Sequence, residues 1–162
     1  MRRLMKRWII FDIILNENHA DSGILVRMNV KATGPARRLL ELILRGPHEL
    51  VLSEFLLQET ARVLQYPRLQ RLYPLTNDDI MEHIEFLRAR ADIVSSEVLS
   101  PVVLSDPDDD PVIYTAFNGM ADVLCGMDRD FYAPDVVAFC RDQGIEIMND
   151  VQLLQRLMPE NQ

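Results

Sequence analysis

Two groups of aspartates are the residues of this sequence whose type and spacing most favour chemistry. The first group consists of Asp106, Asp108, Asp109 and Asp110. The second consists of Asp128 and Asp130. Between them lie an apolar helix-like stretch and a short strand, an order that in an α/β protein places carboxylates at one end of a sheet. Capping of a helix explains one or two of these acids but not both groups.

Within the first group, the neighbours Asp109 and Asp110 differ in the role that their position predicts. Asp109 precedes Ile113 and Ala116 by four and seven residues, so it stands at the head of the inward-facing stripe of the following helix. Asp110 directly precedes Pro111, which suits the first helical position. We therefore expect Asp110 to cap the helix and Asp109 to face a site.

The other acids of the two groups also divide by position. Asp128 comes three residues after a predicted strand that ends at Cys125, where the ligand-binding groups of a parallel sheet collect. Asp106 and Asp108 are expected in a loop, where they would help electrostatically, and Asp130 is expected to be a turn residue. Asp128 is therefore the preferred candidate of the second group.

Glu59 is a candidate because of its place on a helix. At 100° per residue it lies between Phe55 and Val63, which belong to the apolar arc of that helix. A carboxylate that borders a buried face is costly unless it is paired or binds a metal. The alternative is a glutamate whose stem packs against the core while its carboxylate reaches water.

The first strand unit should supply one more carboxylate, and two residues compete for that place. Asp21 stands before the first short helix, and Asp12 lies inside the apolar run of residues 8–15. The residues by themselves leave both possibilities open.

The composition is that of an ordinary globular protein. The 162 residues suit one domain, 48% of them are hydrophobic and the net charge is −8. An acidic chain is unlike a general nucleic-acid coat protein, whose affinity comes from basic residues on phosphates. A nuclease remains compatible with the charge, because bound divalent cations would offset a cluster of carboxylates.

The cysteines and the N-terminus indicate a cytoplasmic protein. Cys125 and Cys140 have no metal-binding or redox spacing, and we expect both to be buried apolar residues in a reducing compartment. Basic residues precede the apolar run 8–15, but Asp12 interrupts that run, which is also too short to span a bilayer. We expect no membrane segment there.

Strand-like and helix-like segments alternate along most of the chain. The strand candidates are residues 8–15, 49–53, 93–94, 102–104, 123–125 and 145–148. The helix candidates are residues 24–30, 36–45, 54–66, 76–90, 110–119 and 134–141, with a final short helix capped by Asn149 or Asp150. This alternation predicts an α/β fold with a mostly parallel sheet and right-handed connections.

Four segments carry a family pattern in the right order. They are D-S-G and G-P-A-R-R-L-L-E-L within residues 21–42, L-S-E-F-L-L-Q-E-T-A-R-V-L at 52–64, D-P-D-D-D-P at 106–111 and A-D-V-L-C-G-M-D-R-D at 121–130. Together they resemble the PIN domain family, and most closely the PIN proteins that serve as toxins of toxin–antitoxin pairs. The resemblance implies a three-layer α/β/α fold over residues 20–157. Residues 1–19 would form a basic tail with a possible first strand, and 158–162 a C-terminal tail.

The resemblance implies a metal-dependent ribonuclease. Its acidic positions correspond to Asp21, Glu59, Asp109 and Asp128, which would bind Mg²⁺ or Mn²⁺ and activate water for hydrolysis of RNA phosphodiesters. It also implies a protein antitoxin as partner and a homodimer. Four basic residues are candidates for phosphate contacts, although for each one singly a solvated surface position is the preferred interpretation: Arg37, Arg38, Arg45 and Arg62.

Two departures from the family pattern favour an alternative function. Gly23 stands where the family has Asn, and Gly126 stands where it has Thr, and both family residues help to order the metal shell. The alternative is a weakened or inactive PIN domain that acts as a binding module.

A second alternative is a phosphatase of the haloacid dehalogenase type, with Asp12 as nucleophile. That family has an Asp two residues later and then a Thr, where this chain has Ile14 and Asn16. The match is therefore poor.

Overall fold

The structure, a computed structural model, describes residues 6–10 as a strand and residues 23–158 with their side chains; residues 1–5, 11–22 and 159–162 lie outside the described part. The strands of the described part are β1 (Lys6–Ile10), β2 (His48–Leu52), β3 (Ala91–Ile93), β4 (Val123–Cys125) and β5 (Glu146–Met148). They form one sheet in the order β3-β2-β1-β4-β5, and each neighbouring pair is parallel.

The helices surround this sheet. The α-helices of the described part are α1 (Pro35–Arg45), α2 (Glu54–Leu64), α3 (Pro67–Leu72), α4 (Asn77–Arg90), α5 (Asp110–Asn118), α6 (Pro134–Asp142) and α7 (Asp150–Leu157). Short 3₁₀ helices occur at Val26–Met28, Pro107–Asp109 and Arg129–Tyr132. The predicted α/β fold with a parallel sheet is confirmed.

The strand order explains the layers. The chain passes from β1 outward to β2 and β3, and then crosses back to β4 and β5 on the other side of β1. Right-handed connections made in opposite directions place helices on opposite faces of a parallel sheet. The central strand β1 comes from residues 1–19, for which a basic tail and a possible first strand were expected. Residues 11–15 of the predicted first strand lie outside the described part.

Burial on both faces of the sheet explains why the sequences of β2 and β4 predict strands. The residues of β4 are all at most 2% exposed, and Leu50, Val51 and Leu52 of β2 are at most 1% exposed. Strands covered on both faces read as continuous apolar runs. Both cysteines are buried, as expected, and burial raises the pKa of the Cys140 thiol to about 11.

Capping signals set several helix ends. Thr76 accepts a hydrogen bond from the backbone of Asp79, and the Asp79 carboxylate accepts one from the backbone of Thr76. Asn149 and Gln152 form the same reciprocal pair at the start of α7. Each arrangement satisfies backbone N–H groups that a helix start leaves without an intrahelical partner.

The strand predicted at residues 102–104 is wrong. In its place, the N–H groups of Val102 and Val103 donate to one carboxylate oxygen of Asp110, at 2.9 and 2.8 Å. A side chain thus supplies the acceptor that a neighbouring strand would have supplied. The same bonds correct the expected role of Asp110, which begins α5 but binds the preceding segment with its carboxylate.

Two residues at the ends of α2 have further structural roles. Pro67, which follows the predicted helix 54–66, begins α3, where the missing N–H of proline costs nothing. Ser53 precedes α2 without capping it through its side chain. Its buried hydroxyl instead forms a hydrogen bond of 2.9 Å with the hydroxyl of Thr115 on α5. This bond joins the carboxyl end of β2 to α5.

Within the described residues, none of the helices has the length and apolar character needed to cross a membrane.

Candidate active site at the carboxyl edge of the sheet

The candidate residues gather at the carboxyl edge of the sheet, near the point where the strand order reverses. β1 lies between β2 and β4. The chain adds β2 and β3 on one side of β1, and later adds β4 and β5 on the other side. In open α/β sheets this reversal opens a crevice beyond the strand ends, where ligands bind. Helix α2 follows β2 directly, and the segment with Asp128 and Asp130 follows β4. The fold therefore places both elements at one edge.

Three carboxylates come together at this edge: Asp106, Asp109 and Asp130 each offer an oxygen, and these oxygens lie within 4.8 Å of one another. Asp109 is 2% exposed, and the other two are half-buried. Oxygen ligands at about 2.1 Å from an octahedral Mg²⁺ ion stand about 3.0–4.2 Å apart. The donors and their spacing therefore fit Mg²⁺ or Mn²⁺ after small side-chain movements.

Local hydrogen bonds hold this acidic cluster. Asp106 caps the 3₁₀ helix Pro107–Asp109 by accepting from the N–H of Asp108 at 3.2 Å. Across the cluster, the hydroxyl of Ser105 donates to an oxygen of Asp130 at 2.9 Å. This bond joins the segment before α5 to the segment after β4, which are distant in sequence. The two aspartate groups of the sequence therefore meet in space.

Asp128 is connected to the acidic cluster through Asp130, two residues later in the chain. Its carboxylate accepts a hydrogen bond of 2.9 Å from the N–H of Asp130 and caps the 3₁₀ helix Arg129–Tyr132. The loop that precedes it is fixed by Gly126, which donates to the carbonyl of Met148 and accepts from the hydroxyl of Tyr132. Asp128 thus orients the segment that carries Asp130.

Glu59 lies in a cleft of about 430 Å³ that opens beside the start of α5. The lining residues are Phe55, Glu59, Arg62, Val98, Pro107, Asp108, Asp110 and Pro111. The Glu59 side chain is 18% exposed and pairs with Arg62, with 2.5 Å between Nη2 and Oε2. The hydrogen bond to Glu59 is the main cause of a raised Arg62 pKa, so the guanidinium stays charged.

Arg27 joins three segments near the same edge. Its Nη1 lies 3.0 Å from Oδ2 of Asp150, a carboxylate that is 3% exposed. Its Nη2 lies 2.7 Å from the sulfur of Met127, which directly precedes Asp128. A buried carboxylate needs such a partner, because isolated charge is costly away from water. Arg27 therefore neutralises Asp150 and supports the loop after β4.

The four site residues predicted from the sequence have different surroundings. Asp109 belongs to the acidic cluster, Glu59 lines the adjoining cleft, and Asp128 bonds to the backbone of a cluster residue. Asp21 lies outside the described residues, as does its competitor Asp12. The membership of all four in one metal site stays a prediction.

Asp106 and Asp130 belong to the acidic cluster but were not among the four predicted site residues. Both were expected to be loop or turn residues, and the structure adds that they lie beside Asp109. The available signal was their position in the two acidic segments, since each segment contributes to the cluster. Which of two aspartates in one segment points toward the other segment depends on loop geometry, and single-residue patterns do not encode it.

Arg37, a second candidate for a phosphate contact, binds groups within the protein. Its Nη1 donates to the backbone carbonyl of Met28 at 2.8 Å, and its Nε lies 3.6 Å from Oε1 of Glu41. Arg37 thus fastens α1 to the 3₁₀ helix Val26–Met28, which gives it a structural use. Arg62 is the candidate that lines the cleft.

A family model described as "PIN domain" matches residues 10–130, which is more than half of the 162 residues. The chain belongs to the PIN domain family. PIN domains are generally metal-dependent nucleases, and the acidic cluster agrees with that chemistry. No curated protein and no solved structure matches the chain significantly.

Proposed function

We propose that this PIN domain is a ribonuclease that hydrolyses RNA phosphodiesters with the help of Mg²⁺ or Mn²⁺. The observation that carries the proposal is the meeting of Asp106, Asp109 and Asp130 at the carboxyl edge of a parallel sheet. Their oxygens come from two segments separated by α5 and β4, and they have the chemistry and spacing that hard divalent cations require.

Asp109 is the central residue of the proposed site. It belongs both to the acidic cluster and to the set predicted from the sequence, which comprises Asp21, Glu59, Asp109 and Asp128. We propose that these four supply carboxylates to the cation, directly or through water, with Asp106 and Asp130 beside them. When bound, the cation would activate water and stabilise the charge of the leaving oxygen.

The protein's own side chains would do the rest. The carboxylates of Asp109 and Glu59 would orient the attacking water, and the cleft beside Glu59 would receive the RNA strand. Asp128 would keep Asp130 in place through its bond to the backbone of that residue. Positioning of this kind contributes much of the rate enhancement in phosphoryl chemistry.

The biological setting is also a proposal. We propose that the protein is the toxin of a toxin–antitoxin pair, that a protein antitoxin holds it inactive, and that it forms a homodimer. The sequence segments that resemble PIN toxins support this view. Two buried free thiols, Cys125 and Cys140, agree with the reducing cytoplasm that we propose as its location.

The first test compares Asp109→Asn with the wild type on a fluorescently labelled single-stranded RNA in the presence of Mn²⁺. We expect the substitution to lower the cleavage rate by about a hundredfold or more, since a metal site supplies several kcal/mol of transition-state stabilisation. Asp135→Asn is the matched control, because it makes the same charge change at an exposed residue in the first turn of α6 that does not line the cleft. We expect it to retain most of the activity.

Equal RNA cleavage by the wild type and Asp109→Asn would refute the proposal that this site is the active site of a ribonuclease. A wild type that binds the RNA but leaves it intact would favour the alternative that Gly23 and Gly126 suggest, a PIN domain that acts as a binding module. Gly126 has hydrogen bonds through its backbone at the edge of the site. As a glycine it lacks the hydroxyl that the family's threonine offers there.

A further inference from the structure

We propose that Arg62 is the RNA-phosphate contact of the cleft, and that Glu59 occupies its guanidinium until a divalent cation takes the Glu59 carboxylate. The inference rests on the proposed function, since it treats Glu59 as a ligand of the cation. It adds a coupling between the two ligands: binding of the cation would release the group that binds RNA.

The contact between the two side chains uses both Glu59 oxygens. Arg62 donates from Nη2 to Oε2 at 2.5 Å and from Nε to Oε1 at 3.2 Å, so the pair is bidentate. These bonds occupy one lone pair on each carboxylate oxygen. A cation that binds the same oxygens competes with the guanidinium for the charge of Glu59, so we propose that metal binding there weakens the contact with Arg62.

The surroundings of Arg62 explain why its release would matter for RNA. Among the described residues that line the cleft, Arg62 is the one with a positive charge, whereas Glu59, Asp108 and Asp110 are acids. The chain as a whole has a net charge of −8. An RNA strand would be repelled by this lining unless cations offset it. A guanidinium suits this task because it binds phosphate in a bidentate way.

Tyr66 keeps the guanidinium near the cleft after release from Glu59. The central carbon of the Arg62 guanidinium lies 5.4 Å from the centroid of the Tyr66 ring, and Nη1 contacts the Tyr66 hydroxyl. Stacking of this kind holds an arginine side chain by a cation–π interaction. The released group would thus stay ordered over the ring and face an incoming phosphate.

The ion pair is weak enough to be displaced. The Arg62 side chain is 44% exposed, and an exposed pair changes an equilibrium constant by up to about fivefold. A divalent cation held by several carboxylates exceeds this easily. By linkage, the cation should strengthen RNA binding, and RNA should strengthen binding of the cation, both through Arg62.

The first experiment titrates Mn²⁺ into the full chain by calorimetry. Arg62→Gln should bind Mn²⁺ roughly two- to fivefold more tightly than the wild type, because the competing guanidinium is gone. Arg88→Gln is the matched control. Arg88 pairs with Glu54 on the same helix α2, with 2.9 Å between Nε and Oε1, but neither residue lines the cleft. We expect this variant to bind Mn²⁺ as the wild type does.

The outcomes separate the two proposals. If the wild type binds Mn²⁺ and Arg62→Gln binds it with the same or lower affinity, the coupling is refuted while the proposed function stands. If the wild type binds no Mn²⁺, the proposed function fails and the coupling fails with it.

The second experiment measures binding of a non-cleavable single-stranded RNA by fluorescence anisotropy at several salt concentrations. With Mn²⁺ present, the salt dependence of Arg62→Gln should be less steep by about 0.7 in log–log slope, the value for one lost phosphate contact on a single strand. Arg62→Lys keeps the charge and should keep the slope. A wild-type slope in Arg62→Gln would refute the role of Arg62 as the phosphate contact.

Discussion

Asp109 and Asp110 show how two adjacent carboxylates come to serve different purposes. Asp109 ends a 3₁₀ helix and faces the acidic cluster, whereas Asp110 turns toward the preceding segment. The single oxygen Oδ1 of Asp110 accepts from both Val102 and Val103. The α-helix begins between the two side chains, so they diverge by about 100° around its axis. The start of α5 therefore supplies a candidate metal ligand, Asp109, and a residue that stabilises the preceding segment, Asp110.

At this scale we predict that Asp110→Ala lowers the free energy of unfolding by about 2–4 kcal/mol, because two buried N–H groups lose their side-chain acceptor. Asp110→Asn keeps an acceptor oxygen and should cost less. Urea unfolding followed by circular dichroism would measure both.

Asp108→Ala is the control for that series, since Asp108 is exposed. It should change stability by no more than about 0.5 kcal/mol. An Asp110→Ala protein as stable as this control would show that the two hydrogen bonds contribute nothing.

At the scale of elements, the sequence predicted most helices and strands because their signals are local. Helices α1, α2, α4, α5 and α6 begin and end within two residues of the predicted bounds. The failure at residues 102–104 comes where a side chain seven or eight positions away replaces a neighbouring strand as the hydrogen-bond acceptor. The apolar residues Val102 and Val103 look like a strand, yet a carboxylate on α5 satisfies their backbone. The apolar pattern of residues 102–104 does not predict that Asp110 is their hydrogen-bond partner.

The contact between α5 and β2 depends on a glycine. A Cβ atom placed on Gly119 would lie 2.4 Å from Cγ1 of Val51, which is buried in β2. The side chain is therefore excluded by close approach of the helix end to the sheet.

We predict that Gly119→Ala destabilises the protein by about 1–3 kcal/mol through overpacking against Val51. Chemical denaturation would measure the loss. In a Val51→Ala background the added methyl group has room, so the cost of Gly119→Ala should shrink.

An equal cost of Gly119→Ala in both backgrounds would show that the conflict lies elsewhere. Gly34 serves as a comparison, because a Cβ there meets nothing within 4 Å while its φ of +113° disfavours other residues. A loss at that position would come from backbone conformation and would not depend on Val51.

At the scale of the whole molecule, the site exists because parallel strands bring distant segments to one edge. Asp106 and Asp130 are 24 positions apart, and the connection through α5 and β4 returns the chain to the same end of the sheet. Three like charges whose oxygens lie within 4.8 Å of one another repel one another and oppose folding. A bound cation would reverse that penalty.

We therefore predict that Mn²⁺ raises the melting temperature. At a concentration a hundred times its dissociation constant, the ligand adds about 2.7 kcal/mol, or about 5–10 °C for a chain of this size. Differential scanning fluorimetry of the wild type would show it, and Asp109→Asn should lose most of the shift. If neither Mn²⁺ nor Mg²⁺ changed the melting temperature of the wild type, the result would contradict a shared metal site.

The same measurement decides between the two candidate acids of the first strand unit. Asp21 is our prediction, and Asp12 follows the last residue of β1, Ile10, by two positions in the sequence. The variant, Asp12→Asn or Asp21→Asn, that reduces the Mn²⁺-induced shift identifies the ligand. Asp135→Asn, an exposed change in the first turn of α6, is the control and should keep the full shift.

The sequence by itself determined the fold class, most element bounds and the residue types of the site. It could do so because periodicity, capping and buried apolar runs are properties of neighbouring residues. Only the tertiary structure decided that Asp106 and Asp130 join Asp109, that Asp110 ties down a loop and that Glu59 is paired with Arg62. Asp130 comes from a segment that meets Asp106 and Asp109 only after the sheet has formed, whereas Asp110 lies seven and eight positions from its two partners, and Glu59 and Arg62 share one turn of α2. Even for that pair, spacing allows the contact, whereas the surrounding cleft gives it a consequence.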